Sequence, residues 1–240
     1  MPSQPLGMFA WFGYRLPLEQ RVGLIAQAGF STTCLWFGED EELVAGNMAD
    51  RMPDMARDAG LSVDNLHAPF EGCNALWSDT KSAISAASHP YVLVARAEEL
   101  GVILAVENTR SPLHIDFLLS SIESRHLALC YDSSHDFISG HPPCALLRKW
   151  GYRLVTTHLS DNNGVTDDHY LPGDGRIDWD IIQDAFPKTQ YSGALMLEVV
   201  PQTGEVPAPE QFTRMAYSRA LDQRSKIGLR GPADDAPPRA

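Results

Sequence analysis

Short apolar runs alternate with amphipathic stretches along most of the chain, and glycine follows several of the amphipathic stretches. Residues 17–28 place apolar side chains at helical spacing, Gly29 follows, and an apolar run at 31–36 comes next. The same order recurs at 48–67 and at 92–107. The runs are apolar almost throughout, which is typical of strands with both faces buried in a parallel sheet. The pattern predicts a series of βα units.

Seven apolar runs are predicted as strands, and six helical stretches separate them. The predicted strands cover residues 6–12, 31–36, 61–67, 102–107, 127–132, 153–158 and 194–199. The predicted helices cover residues 17–28, 48–59, 92–100, 115–122, 143–150 and 179–186. This alternation indicates an α/β fold, and so many units indicate a TIM-type (β/α) barrel. We expect one barrel domain over residues 1–228 and a disordered tail over 229–240.

Charge, apolar runs and cysteine spacing argue against several classes of protein. The 240 residues include 19 Lys and Arg against 31 Asp and Glu, and this net charge of -12 opposes binding to a nucleic-acid backbone. No apolar run reaches the roughly 18 residues that span a bilayer, and the amino terminus lacks the pattern of a secretory signal. The four cysteines form no Cys-x-x-Cys pair, which suits a reducing compartment. We expect a cytoplasmic protein that binds neither nucleic acid nor membrane.

Polar residues suited to metal binding stand at the ends of successive predicted strands. They are His67, Glu107, Asp132, His158 and Glu198. The carboxyl ends of parallel barrel strands open on one face, so these side chains should converge there. One such residue alone is usually structural, but five together favour a metal site, because an unpaired carboxylate at an apolar strand end is costly. Oxygen and imidazole ligands favour Mn²⁺, Mg²⁺, Co²⁺ or Zn²⁺.

Several short stretches, taken in order, resemble one enzyme family. They are Gly-Tyr-Arg-Leu-Pro-Leu-Glu-Gln-Arg (13–21), Leu-His-Ala-Pro-Phe (66–70), Asn-Ala-Leu-Trp (74–77), Leu-Ala-Val-Glu-Asn (104–108), Cys-Tyr-Asp-Ser-Ser-His (130–135), His-Leu-Ser-Asp-Asn-Asn-Gly (158–164), Asp-His-Tyr-Leu-Pro-Gly-Asp-Gly-Arg-Ile-Asp-Trp (168–179) and Leu-Glu-Val (197–199). Through these motifs the chain resembles the sugar phosphate isomerase/epimerase family. That family lies in the xylose-isomerase-like barrel superfamily, which also holds the endonuclease IV type of apurinic/apyrimidinic endonuclease.

The resemblance implies a metal set and a catalytic pair. The residues that match the metal set are Glu107, Asp132, His158 and Glu198. Glu107 and Glu198 also match two glutamates that act as an acid/base pair on opposite faces of the substrate. Removing a proton next to a carbonyl creates an enediolate, which a divalent cation stabilises. We expect Mn²⁺ first among the four cations.

Six further residues are candidates for substrate binding. They are His67, His135, His169, Arg110, Trp11 and Trp36. By resemblance, His135 matches a histidine that contacts substrate or a second metal, and His169, with Asp167, matches an Asp-x-His pair of the endonuclease branch. The tryptophans suit the apolar face of a sugar ring, with ordinary core packing as the alternative. Arg110 suits a phosphate or carboxylate, with a surface ion pair as the alternative.

The chain departs from the family between its third and fourth predicted strands. About 40 residues separate His67 from Glu107, where a full barrel fits two helices and a strand, and one βα unit takes roughly 30 residues. We therefore expect that the fourth strand-helix unit is missing, that seven parallel strands remain, and that no strand stands within 78–98. The strands beside the gap should pair directly, stay apart, or bind another chain, as in a homodimer.

The leading hypothesis is a metal-dependent isomerase or epimerase of a small sugar, sugar phosphate or hydroxy-carbonyl compound. Three alternatives stay open: a lyase or dehydratase of a polyol or keto acid at the same site, a phosphodiesterase acting on abasic DNA, and a binding protein with impaired catalysis. The acidic charge and the missing fourth unit oppose the DNA hypothesis. The shortened barrel is the reason for the last alternative.

Overall fold

The strands of the protein form the wall of a barrel, and the helices lie outside it. The computed structural model describes residues 4–36, 49–68, 89–109, 111–139, 141–202, 204 and 206–230. The strands are β1 (Leu6–Phe9), β2 (Thr32–Trp36), β3 (Ser62–His67), β4 (Leu104–Glu107), β5 (Leu127–Asp132), β6 (Leu154–His158) and β7 (Leu195–Leu197). The α-helices are α1 (Leu18–Ala28), α2 (Met52–Asp58), α3 (His89–Leu100), α4 (Pro112–Ser121), α5 (Ser133–Ile138), α6 (Ala145–Trp150), α7 (Trp179–Ala185) and α8 (Pro209–Arg230). Short 3₁₀ helices cover Ala49–Arg51, Gly151–Arg153 and Phe186–Thr189.

All strand pairs between these elements are parallel, and the strands follow one another around the barrel. One sheet has the order β3-β2-β1-β7, and the other has the order β4-β5-β6. A parallel bridge between Leu159 and Leu197 joins the two sheets just after β6. The prediction of an α/β, TIM-type barrel with seven parallel strands is confirmed for the described part of the chain.

β3 is an edge strand of one sheet and β4 is an edge strand of the other. Over the described ranges these two strands do not pair with each other. Direct pairing, one of the three arrangements expected beside the missing unit, is therefore not the one adopted. α3 covers residues 89–100, which agrees with the expected absence of a strand there. The remainder of that expectation falls on residues 78–88, which lie outside the described residues.

Alternation along the strands separates a barrel interior from a surface that packs on the helices. The large core cluster joins strands to helices and includes Leu6, Leu35 and Leu129. A second, smaller cluster consists of Phe9, Cys34, Ala194 and Met196, with Trp11 and Trp36 packed against it. Side chains two residues apart on a strand lie on the same face, so Met196 shares a face with Glu198 and Cys34 shares a face with Trp36. We therefore assign this smaller cluster to the barrel interior, where the polar residues at the strand ends converge. Apolar side chains thus fill the barrel interior below the carboxyl ends of the strands, and the polar residues lie at those ends.

The glycine after α1 is required by its surroundings as well as by its backbone. Gly29 has a φ of 110°, and its N–H bonds the carbonyl of Ala26 at the helix end. A Cβ at this position would lie 2.7 Å from the ring of Tyr217, on α8. The first βα unit therefore ends where the last helix packs against it.

The sequence pattern predicts no helix after the last strand, and this is wrong. α8 has 22 residues and packs on α1 and α7. Its buried apolar residues are Phe212, Ala216, Ala220 and Ile227. Two of these are alanines, and a glutamine of the same helix, Gln223, is also buried and accepts a hydrogen bond from Gln183 at 2.8 Å. A buried face built from small and polar side chains leaves only a weak apolar stripe in the sequence.

Smaller differences concern element boundaries and one short helix. β1 ends at Phe9 rather than at residue 12, and α5 is a six-residue helix that the periodicity does not predict. α8 continues to Arg230, and the rest of the expected tail, 231–240, lies outside the described residues. Within the described helices, none is long and apolar enough to cross a membrane.

Candidate metal centre

Four side chains meet at the carboxyl ends of β4, β5, β6 and β7. Each offers one ligand atom, and the four atoms lie within 4.8 Å of one another: Glu107, Asp132, His158 and Glu198. Nδ1 of His158 lies 2.7 Å from Oε1 of Glu107 and 2.9 Å from Oε2 of Glu198. The structure therefore brings together the four residues that the sequence predicts as metal ligands. We refer to them below as the metal set.

The donor atoms of the metal set fit a divalent cation. Oδ1 of Asp132 accepts a hydrogen bond of 2.7 Å from the backbone N–H of His135. Through this bond Asp132 caps the amino terminus of α5. Its Oδ2 is buried, and no donor in the described part of the chain reaches it. A buried carboxylate oxygen without a partner is costly, and a cation beside it would remove that cost. Carboxylate oxygens with one imidazole are ligands that Mn²⁺, Mg²⁺ and Zn²⁺ accept.

Charges within the metal set shift the pKa values of its members strongly. Burial by itself would raise the pKa of Glu198, but His158 lowers it to about 2, and His158 likewise lowers the pKa of Glu107. Burial would lower the pKa of His158, but Cys130 and the two glutamates raise it well above its ordinary value. Burial raises the pKa of Asp132 to about 7. Two members of the set, His158 and Asp132, therefore carry protons that compete with a cation near neutral pH.

We predict that metal affinity rises with pH. Because the pKa values of His158 and Asp132 are raised, both groups hold protons at lower pH and must release them to ligate. The Kd for Mn²⁺ should fall by about tenfold per pH unit for each proton displaced. Calorimetric titration of the chelator-treated chain between about pH 6 and 8 measures this dependence. A Kd that is constant across this range would contradict the assignment of these two residues as ligands.

Asp167 joins two of the histidines predicted to bind substrate. Its Oδ2 lies 2.9 Å from Nε2 of His135 and 3.1 Å from Nε2 of His169, and its Oδ1 accepts a hydrogen bond of 2.6 Å from Ser134. His169 has a φ of 53°, a left-handed conformation that is uncommon outside glycine and concentrates at functional sites. The ring of His169 lies at the site, because its Nδ1 is 3.1 Å from the carbonyl oxygen of Glu198.

The two histidines beside Asp167 have raised pKa values. Burial lowers the pKa of His135, but Asp132 and then Asp167 raise it to about 10. Burial also lowers the pKa of His169, but the hydrogen bond to Asp167 raises it to about 9. The same contacts hold the pKa of Asp167 well below its usual range. The carboxylate of Asp167 therefore favours the protonated form of both rings next to the metal set.

His67 also lies where the sequence predicts it. Its ring stacks between those of Phe9 and His158, with centroid distances of 5.6 Å to each. One ligand atom each of His67, His158 and Glu198 lie within 4.8 Å of one another. His67 is therefore in contact with the metal set on the β3 side of the barrel.

The two candidate tryptophans pack against each other, and the candidate arginine is not described. Trp11 and Trp36 have ring centroids 5.9 Å apart, following β1 and ending β2. The guanidinium of Arg21 lies 5.1 Å from the Trp11 ring and donates a 2.7 Å hydrogen bond to the carbonyl of Ala10. Arg21 is fully buried and supports this aromatic wall, a role the sequence analysis missed. Arg110 lies outside the described residues.

Asn108 holds two strands of the site in register, and the sequence analysis gives it no role. Its Oδ1 accepts a 2.6 Å hydrogen bond from the N–H of Asp132, and its Nδ2 donates a 2.8 Å bond to the carbonyl of Asp132. The side chain is buried. Its position directly after Glu107 is the one signal in the sequence, because an amide there can bridge to the next strand.

Asp161 organises the loop that carries Asp167 and His169. It is fully buried, and its two carboxylate oxygens accept hydrogen bonds from four donors. The donors are the backbone N–H groups of Asn162, Gly173 and Ile177 and the indole Nε1 of Trp179, at 2.8–3.0 Å. The sequence signal for this role is weak, because its donors lie up to 18 residues further along the chain.

We predict that Asp161→Asn destabilises the protein by about 3 kcal/mol or more, since buried hydrogen bonds to a charged group contribute about 1.5–3 kcal/mol each. An asparagine offers N–H where two of the four donors need an acceptor. Urea denaturation measures the loss. Asp168→Asn is the matched control, because among the described residues Asp168, on the same loop, accepts hydrogen bonds only from Asn163 and Thr166. Equal effects of the two substitutions would show that Asp161 does not anchor the loop.

The family described as xylose isomerase-like TIM barrel matches residues 14–216. The chain belongs to this family. The resemblance seen in the sequence motifs is thereby confirmed for the xylose isomerase-like barrel.

Relatives of this xylose isomerase-like barrel include sugar epimerases and a dehydratase. The chain is 24% identical over 182 residues to fructoselysine 3-epimerase of Escherichia coli O157:H7, which covers 69% of this chain and 62% of the relative. It is 30% identical over 101 residues to inosose dehydratase of Clostridium botulinum (strain Alaska E43 / Type E3), which covers 35% of this chain and 34% of the relative. The chain thus spans less than two thirds of the length of these curated relatives.

The solved structure of an L-ribulose 3-epimerase has the same fold. It superimposes with a TM-score of 0.68 at 15% identity, covering 97% of this chain and 99% of that one. At this identity the likeness shows the fold alone.

Proposed function

We propose that the protein is a divalent-metal-dependent epimerase or isomerase of a small sugar or hydroxy-carbonyl compound, and that Glu107 and Glu198 transfer the proton. The observation that carries the proposal is the convergence of both carboxylates on one nitrogen of His158, at 2.7 and 2.9 Å. They come from β4 and β7, and β5 and β6 stand between these strands in the barrel wall. Two carboxylates that reach one point from different strands suit proton removal and return at one carbon.

The proposed work of the chain's own residues is to hold and move protons. One glutamate takes the proton from the carbon next to the carbonyl, and the C–H electron pair moves into the new C–C double bond of the enediolate. The other glutamate returns a proton to the opposite face of the same carbon, which inverts that carbon. Alternatively the proton goes to the neighbouring carbon while the hydroxyl proton of the enediolate passes to the former carbonyl oxygen, which moves the carbonyl. In the metal-free chain the charge of His158 lowers the pKa values of both glutamates, and in the loaded chain, where His158 has released its proton, the cation would keep them ionised instead.

The metal set would hold the cation, and we propose Mn²⁺ as the natural one, with Mg²⁺, Co²⁺ or Zn²⁺ as substitutes. When bound, a divalent cation supplies the Lewis acidity that stabilises the negative oxygen of an enediolate. His135 and His169 add donors held by Asp167, and Trp11 and Trp36 would cover the apolar face of the sugar.

A dehydratase at the same site is the second candidate. The rings of His135 and His169 both contact the carboxylate of Asp167, which favours their protonated forms, and an acid beside an enediolate promotes loss of a hydroxide as water. The match to an inosose dehydratase supports this candidate.

Deuterium incorporation from solvent tests the proposal and separates the two candidates. The chelator-treated chain is reloaded with Mn²⁺ and incubated in D₂O with a panel of ketopentoses, ketohexoses, their phosphates and inososes. We expect a stereoisomer or aldose with deuterium at the carbon next to the carbonyl, and no reaction before reloading. A product lighter by one water would favour the dehydratase. Full turnover of the chelated protein would contradict the metal-dependent proposal.

A further inference from the structure

A thiol lies directly beneath the metal set. Cys130 stands two residues before Asp132 on β5, so both side chains share the inner face of the barrel. The β4–β5 register pairs Glu107 with Cys130, and Asn108 rather than Glu107 reaches the level of Asp132. The stagger between these strands therefore sets the thiol beside the carboxylate of Glu107.

The distances around Cys130 resemble those within the metal set. One ligand atom each of Glu107, Cys130 and His158 lie within 4.8 Å of one another. Cys130 is buried, and Glu107 and His158 also belong to the metal set. A cation held by these three residues would lie closer to the thiol than a cation centred on the four.

We propose that Cys130 is a soft ligand that distinguishes between cations. A softer cation such as Zn²⁺ binds through Glu107, Cys130 and His158, whereas Mn²⁺ uses only the oxygen and imidazole ligands. The inference rests on the metal site of the proposed function. Thiolate sulfur prefers Zn²⁺ to hard cations such as Mn²⁺, for which carboxylate oxygens are the suited ligands. When the sulfur–zinc bond forms, the thiol proton leaves to solvent, and the other two ligands are shared between both arrangements. The thiol thus lets one site distinguish its cations by their softness.

A second buried thiol provides the matched control. Cys34 also belongs to the interior cluster, but its Sγ donates a hydrogen bond to Oδ1 of Asn65 at 2.7 Å. Among the described residues Cys34 belongs to no group of three ligand atoms within 4.8 Å. Cys34→Ser and Cys130→Ser therefore make the same chemical change at two interior thiols that both neighbour His158. Among the described residues only Cys130 also belongs to a group of three ligand atoms.

X-ray absorption spectroscopy of the full chain tests the inference. The chelator-treated protein is loaded with one equivalent of Zn²⁺ or of Mn²⁺, and the distances to the metal are measured. With Zn²⁺ we expect one sulfur at about 2.3 Å beside nitrogen and oxygen at about 2.0–2.2 Å. The sulfur should disappear in Cys130→Ser and persist in Cys34→Ser. With Mn²⁺ we expect nitrogen and oxygen only.

Zinc affinity provides a second readout. Loss of an outer-shell partner of a metal ligand commonly costs at least tenfold in affinity, and loss of a direct ligand should cost no less. We expect Cys130→Ser to raise the Kd for Zn²⁺ by at least about tenfold and to change the Kd for Mn²⁺ by less than about threefold.

Two outcomes would overturn the inference. A zinc spectrum of the unaltered protein with no sulfur refutes it directly, whatever the variants do. A sulfur that survives Cys130→Ser assigns the ligand to another cysteine. Either result leaves the proposed epimerase or isomerase intact, whereas a chain that binds neither cation refutes the metal site of the proposed function as well.

Discussion

Glu198→Gln is expected to lower the rate of epimerisation by about 10²–10⁴-fold, the range that general acid–base catalysis contributes. Glutamine keeps the size of the side chain and an oxygen that can accept from His158, but it cannot take a proton from carbon. Glu107→Gln should have an effect of similar size, because the two carboxylates occupy comparable positions, 2.7 and 2.9 Å from the same nitrogen. Rates are measured at saturating Mn²⁺, so that a weakened metal site does not imitate a lost base.

Glu210→Gln is the control for this pair. Glu210 lies on the exposed first turn of α8, and its replacement should leave the rate unchanged. Circular dichroism should show that all three variants fold. Near-normal exchange of the substrate proton in either Glu107→Gln or Glu198→Gln would refute the assignment of that glutamate as a base.

Asp132→Asn is expected to weaken Mn²⁺ binding by at least about 100-fold, since it removes one of the charged ligands and metal affinity is sensitive even to partners outside the ligand shell. Asparagine can still accept the N–H of His135 through its own oxygen, so the cap of α5 is preserved. Titration calorimetry of the chelator-treated chain gives the Kd. Ser139→Ala, at the far end of α5, is the control and should bind Mn²⁺ normally.

Stability of the chelated protein separates loss of the metal from loss of the fold in Asp132→Asn. Burial raises the pKa of Asp132 from 3.8 to about 7, so the folding free energy that its protonated form allows is lost as the pH rises from about 4 to about 7 and stays lost above that. Asparagine does not ionise. The chelated variant should therefore melt at a higher temperature than the chelated unaltered protein at pH 8, with a smaller difference at pH 5. A variant that is less stable at both pH values would contradict the assignment of Asp132 as a residue held for metal binding.

The metal set could be predicted from the sequence because each member stands at the last position of an apolar run or directly after one. β5 has the same bounds in the sequence pattern and in the structure, 127–132, and Asp132 ends it. Glu198 directly follows β7, and His158 ends β6. Barrel geometry then brings strand ends together without further information.

The features that the sequence does not predict depend on how one strand, helix or loop is placed against another. Glu107 and Asp132 both end strands, yet the register pairs Glu107 with Cys130, because the strands of a barrel are staggered. The role of Asn108 follows from the same stagger. Asp161 gathers donors from a loop whose path no local pattern specifies. The sequence pattern does not predict α8, because a buried face that includes Ala216, Ala220 and Gln223 does not produce a strong apolar stripe.

The proposed metal centre requires that one divalent cation bind to Glu107, Asp132, His158 and Glu198. Crystals of the full chain grown with Mn²⁺ test it directly through the anomalous scattering of the metal. We predict one strong anomalous peak per chain at the carboxyl ends of the strands, within roughly 2.0–2.6 Å of an oxygen of each carboxylate and of a nitrogen of His158. A structure with no peak there, or with the metal bound by other residues, would contradict the account.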